Sequence, residues 1–480
     1  MKTIDKLFIG GSYVDPAGTD TIEIVNASTE DVVARTPEGS IGDIDRAVAA
    51  AREAFDNGPW PRMPATERAA VITAISQAIQ VRMQEFAETI STENGSPISW
   101  SLAGQVFAAT MVFDFYAGLA ESYPWEERRQ GVLGPALVRR EPVGVVGAII
   151  PWNVPLFVAA LKLGPALLSG STVVLKPSPE TALDAYLLAE VVEATGLPPG
   201  VLNIVPAGRE VGEHLVVHPD IDKISFTGST AAGRRIGALC GERLRRCTLE
   251  LGGKSAAIVL EDADLGSTLD LMVPAGLMNN GQACVAQTRI LAPRRRYDEI
   301  VDAIAERVAA MKVGDALDPE TQVGPLVAKR QQDRVLGYIE KGQAEGAKVL
   351  VGGGKPASQP KGWFVELTVF VEVDNKMTIA QEEIFGPVLS VIRYDGIDEA
   401  IAIANESSYG LSGGVYGSDV DSATDVARRV RTGTLQVNSM SPMDFAAPFG
   451  GFKHSGVGRE LGPEGLEAYV EYKTITLPAS

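Results

Sequence analysis

The sequence predicts an α/β protein built on a parallel sheet that helices cover on both faces. Three observations carry this. From residue 143 onward, short apolar runs alternate with segments of helical periodicity. Those runs are nearly continuous in Val, Ile, Leu and Ala, so both faces of each strand are buried. The chain has 480 residues and 45% hydrophobic content, enough for a large core and for about three units of ~150 residues. Open sheets of this kind take ligands at the carboxyl ends of their strands.

The elements follow in order. IDRAVAAAREAF (44–55) and the stretch 65–95 carry apolar residues at three- and four-residue spacing, so each is expected as one amphipathic helix, the second stopped by Gly95. VGVVGAII (143–150), STVVLKP (171–177), VLNIVPA (201–207), KISFTG (223–228) and RCTLEL (246–251) are expected strands. Helices are expected between them at 155–170, 180–196, 209–218 and 230–241. The second half alternates less regularly, with helices expected at 297–312, 327–346 and 397–407. No period of 20–50 residues recurs, and no low-complexity linker divides the chain. ERRQGVLGPALVRREP (127–142) interrupts the rhythm and reads as a projecting hairpin around its Gly-Pro turn, and the tail AYVEYKTITLPAS (468–480) is strand-like. Exposed strands at a chain end often pair with another subunit, so a homo-oligomer, dimer or tetramer, is expected.

Composition excludes several classes. With 43 Lys and Arg against 61 Asp and Glu, the net charge of −18 argues against nucleic acid and anionic membrane as partners. No apolar run is expected to reach the ~20 residues of a membrane span. The start MKTIDKLFIGG lacks the apolar core of a signal peptide. Three cysteines do not make a disulfide framework, so a reduced, cytoplasmic protein is expected.

Some motifs fail on inspection. LGGKS (251–255) resembles the end of a phosphate loop, but Thr248 stands where that loop needs glycine. GSTAAG (228–233) has only two glycines, short of a dinucleotide fingerprint. His214 and His218 lie four apart on a helix, but no Glu follows His214 and no third ligand is apparent, so no metal is expected. The one other histidine is His454, which leaves little for histidine catalysis.

Five stretches carry chemistry. In IIPWNVPL (149–156), Asn153 sits between prolines just past an apolar strand, where an amide either donates to a developing oxyanion or closes an Asx turn. In LELGGKS, Glu250 ends an apolar strand; it is either a general base with a raised pKa or one half of an ion pair. In NNGQACVAQTR (279–289), Cys284 is either a nucleophile or an inert buried thiol. QEEIFGPV (381–388) and PFGGFKHSGVGRE (448–460) supply turns that let a ligand approach the backbone.

Taken in order, PWN, KPS, FTGS, ELGGKS, GQ-x-C, EEIFGPV, PFGGFK and SGVGRE resemble the NAD(P)-dependent aldehyde dehydrogenase superfamily, over nearly the whole chain from about residue 5. The resemblance implies a Rossmann-like parallel-sheet cofactor domain (1–123 and 143–252), a second α/β catalytic domain (253–465) and a small β oligomerisation element (124–142 and 466–480). It implies that Cys284 attacks an aldehyde to form a thiohemiacetal. Asn153 and the Cys284 backbone N–H would then hold the oxyanion, and Glu250, 34 residues before Cys284, would activate water against the thioester. Lys162 matches a lysine near the proton path.

NAD is the implied cofactor, with NADP possible. Ile149, Ile150, Pro151 and Trp152 match a strand end at the nucleotide, Lys176 the adenosine ribose, and Gly208, Gly212, Phe226, Gly228 and Ser229 the adenine and pyrophosphate region. Leu251 matches a nicotinamide contact, and Glu383 and Phe385 the nicotinamide ribose. Pro179 departs from the pattern, because NAD-preferring members commonly carry Glu there; either Glu180 reaches the ribose instead or a discriminator against NADP is lost. The matched substrate positions Phe157, Leu161, Met443, Phe445 and Phe449 are apolar, which implies an apolar aliphatic or aromatic aldehyde. Members acting on succinic semialdehyde carry a basic residue at the position of Leu161. Asp444 departs from the pattern without explanation. The alternatives are a CoA-acylating semialdehyde dehydrogenase and a catalytically silent structural member of the fold.

Overall fold

A computed structural model describes residues 2–478 apart from residue 133. The first sheet has eight strands, in the order Gly456–Val457, Arg246–Glu250, Lys223–Thr227, Val145–Ile149, Thr172–Lys176, Leu202–Ile204, Leu7–Ile9 and Ser12–Val14. The five central strands are parallel, and antiparallel strands close both edges. Val145–Ile149 is the first of the five in sequence. The next two strands add on one side of it and the last two on the other, so the topology reverses between Val145–Ile149 and Lys223–Thr227. The crevice outside the carboxyl ends of those two strands is therefore the expected ligand position.

The helices of this unit behave as their sequence asks. Ile41–Asp56 starts three residues before the expected 44, because Ser40 caps it and Asp43 completes a capping box. Pro155–Ser169 is buried along its whole length and ends at Gly170 in the left-handed conformation. The stretch expected as one helix over 65–95 is two, Ala65–Val81 and Met83–Asn94, with Arg82 outside helical geometry at φ −104° and ψ 19°. Gly95 stops the second as expected, at φ +80°. Helix Leu183–Ala194 starts three residues later than expected, behind a 3-10 turn over Pro179–Thr181.

One expectation is corrected. The continuous helical run Ile98–Leu119, with mean hydropathy 1.3, is long and apolar enough to cross a membrane. Its apolar face is instead core: Val106, Ala109, Val112, Phe113 and Tyr116 are buried, and the run packs against Ala65–Val81 and Pro155–Ser169.

The second sheet has seven strands, in the order Lys348–Val351, Thr368–Val371, Val388–Tyr394, Arg289–Pro293, Ala256–Val259, Gly413–Tyr416 and Gln436–Val437. Only the first pair is antiparallel. Late in the chain, Gly456–Val457 returns to the first sheet beside Arg246–Glu250, and helix Gly462–Glu467 packs on Pro155–Ser169. Residues 456–465, placed by resemblance with the second unit, thus lie against the first.

The hairpin and the tail meet each other. Glu126–Gly131, Gly134–Pro142 and Val470–Thr476 form a three-stranded antiparallel sheet with the hairpin's second strand in the middle. A further small sheet of Lys2–Thr3, Val32–Pro37 and Thr21–Val25 had no sequence expectation.

Candidate active site

The loop bearing Cys284 is held in an unusual backbone. Asn279, Asn280 and Gly281 all have positive φ, at 51°, 62° and 72°. Asparagine tolerates this region better than most residues. Gly281 is required outright, since a Cβ there would stand 2.1 Å from the Gly386 carbonyl oxygen. The two asparagine side chains anchor the loop. Asn280 Nδ2 donates to the carbonyls of Gly95 and Pro325, each at 2.8 Å, and its Oδ1 accepts from Gly324 N at 2.6 Å. Asn279 Nδ2 donates to the Asn153 carbonyl at 2.9 Å, and Asn94 Nδ2 donates to the same oxygen at 3.0 Å. Asn153 Nδ2 donates to the Gln282 carbonyl at 2.8 Å. The Asn153 amide is thus locked beside the Cys284 loop by long-range bonds, which is more than an Asx turn provides.

Cys284, Asn153 and Glu250 line one cavity of about 730 Å³, together with Pro151, Trp152, Phe157, Leu161, Gly228, Ser229, Leu251, Glu383, Phe385, Met443, Phe445 and Phe449. Every expected substrate residue is in this set. Ile149, Ile150, Lys162, Lys176, Pro179, Gly208, Gly212 and Phe226 do not line it. Trp100, Gly104 and Met278 also face it, and nothing in the sequence reading singled them out. Asp444 does not: its Oδ1 accepts from Ala446 N at 2.8 Å, so it closes a turn.

Electrostatics separates the two readings of Glu250. It is 3% exposed at the carboxyl end of its strand, and neither carboxylate oxygen meets a hydrogen-bond partner among the described residues. Burial pushes its pKa well above the usual range and the Glu460 charge adds to this, while Lys162 and Arg459 oppose. Burial likewise raises the Cys284 thiol, with the charges of Glu383 and Glu250 adding. Lys162, fully buried, donates to Thr227 Oγ1 and Glu460 Oε1, each at 2.8 Å. Neither partner was anticipated. Glu460 ends the SGVGRE motif, and only the return of residues 456–457 to the first sheet brings it here.

The crevice at the switch point fits a dinucleotide. Lys176, next to the strand end Ile149, donates to the carbonyls of Pro177 (3.0 Å) and Ala207 (2.6 Å), which leaves one of its three donors for a ligand. Burial pushes its pKa down to about 8. Gly212 leaves the lysine stem its room, since a Cβ there would stand 3.3 Å from Cδ. Gly208 N donates to Glu38 Oε1 at 3.1 Å. Ser229 Oγ caps helix Thr230–Glu242 by accepting from Ala232 N at 3.3 Å. Glu180 is already engaged by Arg330 Nη2 at 2.6 Å and by the Ser178 hydroxyl. On the other side, Glu383 Oε1 accepts from Gly253 N at 2.9 Å, and burial raises its pKa to about 7. The Phe385 ring meets Trp152 edge-on at 5.4 Å. Gln331 and Arg334 hold the Glu383–Phe385 backbone through bonds of 2.7 Å to the Phe385 carbonyl and 2.6 Å to the Glu383 carbonyl.

A thiol, an unpaired carboxyl and the Glu383–Phe385 turn around one cavity beside the switch point of a parallel sheet suit a dinucleotide-dependent oxidoreductase. Comparison with known proteins makes the class specific. Residues 13–475 match the aldehyde dehydrogenase family. The chain is 52% identical over 480 residues to a geranial dehydrogenase of Castellaniella defragrans, covering 99% of both. It superimposes with a TM-score of 0.98 on a Mycobacterium tuberculosis aldehyde dehydrogenase complexed with NAD+, at 51% identity over 100% of this chain and 99% of that one. A Pseudomonas syringae aldehyde dehydrogenase C mutant, complexed with NAD+ and octanal, superimposes at 0.96 with 42% identity over 99% of this chain and 98% of that one. The chain belongs to the aldehyde dehydrogenase family: it is an NAD(P)-dependent enzyme that oxidises aldehydes.

Proposed function

We propose that the substrate is an extended apolar aldehyde, oxidised to the free carboxylic acid by covalent catalysis on Cys284. One observation carries this reading. The thiol and the unpaired Glu250 carboxyl share a cavity whose other walls include Trp100, Phe157, Leu161, Met278, Met443, Phe445 and Phe449. The two basic residues of the lining are engaged elsewhere, Arg330 with Glu180 and Arg334 with the Glu383 carbonyl, each at 2.6 Å, so the cavity offers a long hydrocarbon chain a largely apolar lining. Two similar proteins point the same way, one named for geranial and one solved with octanal.

The residues divide the work. The Cys284 thiol gives its proton to water in the cavity, and the thiolate adds to the carbonyl carbon and makes a thiohemiacetal oxyanion. Asn153 Nδ2 has one N–H beyond its bond to Gln282, and with the Cys284 backbone N–H it stabilises that oxygen. One such donor is typically worth about 3 kcal/mol. A nicotinamide held beside Cys284 would supply the hydride acceptor, and Lys176 and Glu383 would hold its two riboses. Glu250 takes a proton from the water that attacks the resulting thioester, which releases the acid and restores the thiol. Lys162 and Glu460 lie on the path by which that proton leaves. An ionisable, unpaired base at 250 favours water over CoA as the acyl acceptor. The 252/253 domain division, a cytoplasmic location and a homo-oligomer joined through the three-stranded sheet belong to the same reading.

An aldehyde panel tests it: reduced-cofactor absorbance is followed with NAD or NADP, with and without CoA. Each buried CH2 contributes about 0.8 kcal/mol, a factor of about 4 in kcat/KM. The ratio should climb stepwise from propanal to octanal and stay indifferent to CoA. A flat series, or CoA dependence, overturns the reading.

A further inference from the structure

The sequence offers His214 and His218 without a third ligand, and the fold brings one. Helix Ile41–Asp56 packs beside helix Arg209–Val217, and Asp45 faces both imidazoles. Asp45 Oδ1 lies 2.6 Å from His214 Nε2 and 3.5 Å from His218 Nε2. The two rings stand edge to face with centroids 5.8 Å apart, and the ligand atoms of all three residues lie within 4.8 Å of one another. None of the three lines the active-site cavity.

We propose that Asp45, His214 and His218 bind one divalent transition-metal ion, with zinc as the test ion. Two imidazole nitrogens and a carboxylate oxygen suit zinc, copper and nickel, and do not suit magnesium or calcium. Zinc bonds of 2.0–2.2 Å in a tetrahedron put ligand atoms roughly 3.3 Å apart. The separation of Asp45 from His218 is already close to that. The separation from His214 has to open by roughly 0.7 Å as the ion replaces the shared proton. Asp45 can move, because its side chain is 53% exposed, while His218, at 12%, is held by its surroundings. A water fills the fourth position. One bond is given up: His218 Nδ1 accepts from Asp220 N at 3.2 Å, and it must carry the proton once Nε2 binds metal. The ion ties the two helices together at the end of Arg209–Val217 away from Gly208, so its role is structural.

The test uses the whole chain. Metal-free protein is dialysed against zinc and analysed beside His214→Ala and His218→Ala, whose dehydrogenase activity without metal should match the wild type. The wild type should bind one zinc per chain more than either variant, or bind it at least tenfold more tightly. Cobalt(II) should give visible d–d bands without the charge-transfer band of a thiolate ligand, which separates this site from the cysteines. Equal zinc content and affinity in wild type and variants, or a cobalt spectrum dominated by thiolate, overturns the proposal.

Discussion

Lys162 and Glu460 form a buried ion pair at 2.8 Å although 298 residues separate them in the chain. The pair lies against Glu250, whose carboxyl feels the lysine as a stabilising charge and the glutamate as a repelling one. Three ionisable groups are thus coupled inside the protein, with a single cation among them.

The coupling has a sign that pH profiles can check. Glu250 is a carboxyl with a raised pKa, so its basic form, and with it hydrolysis, appears only as pH rises through that value. Lys162→Met removes a charge that favours the ionised form and should move the hydrolytic limb to higher pH. Glu460→Gln removes a repelling charge and should move it lower. Breaking a buried pair also costs about 3–5 kcal/mol, so both variants should melt earlier. Shifts in the same direction for both would show that Glu250 is not coupled as described.

Glu250→Gln separates the chemical steps. Acylation and hydride transfer need no external base once the thiolate exists, whereas water must lose a proton as it attacks. Steady-state turnover should fall ~100- to 10,000-fold, with a burst of reduced cofactor near one per site and an acyl adduct on Cys284 in the mass spectrum. Cys284→Ala should abolish burst and adduct together. Wild-type turnover in the Gln variant at neutral pH would remove Glu250 from deacylation.

Cofactor choice follows from Pro179 and the fate of Glu180. Pro179 offers no carboxylate to the adenosine ribose, and Glu180 is occupied by Arg330 at 2.6 Å. With that carboxylate engaged, the wild type should prefer NAD only modestly. Pro179→Glu should sharpen the preference. A wild-type enzyme that already rejects NADP by several orders of magnitude would falsify this account of the position.

Assembly should follow from the three-stranded sheet. Its tail and hairpin strands pair with each other, but Val470–Thr476 and Glu126–Gly131 each keep an outer edge. Open edges favour strand addition by a second copy. Light scattering at micromolar concentration should give a dimer or tetramer, and a monomer would end this expectation.

The sequence by itself determined the parallel α/β unit and the stretches that carry chemistry. Strands such as Val145–Ile149 are legible because both faces are buried and the run is apolar throughout. The loops at Asn153, Glu250 and Cys284 are legible because Gly, Pro and Asn set backbone geometry locally. Tertiary structure decided what surrounds each of those residues. Glu250 is an unpaired carboxyl because no donor among the described residues reaches either oxygen, and Asn153 aims at the thiol loop because Asn94 and Asn279 grip its carbonyl from elsewhere in the chain. Glu460 meets Lys162, and Asp45 meets His214, only through the order of strands and the packing of helices. Such partners are invisible locally because a side chain's pKa and hydrogen bonds depend on what lies within a few ångströms. That neighbourhood is assembled from residues 59 to 298 positions apart, as Asn94–Asn153 and Lys162–Glu460 show.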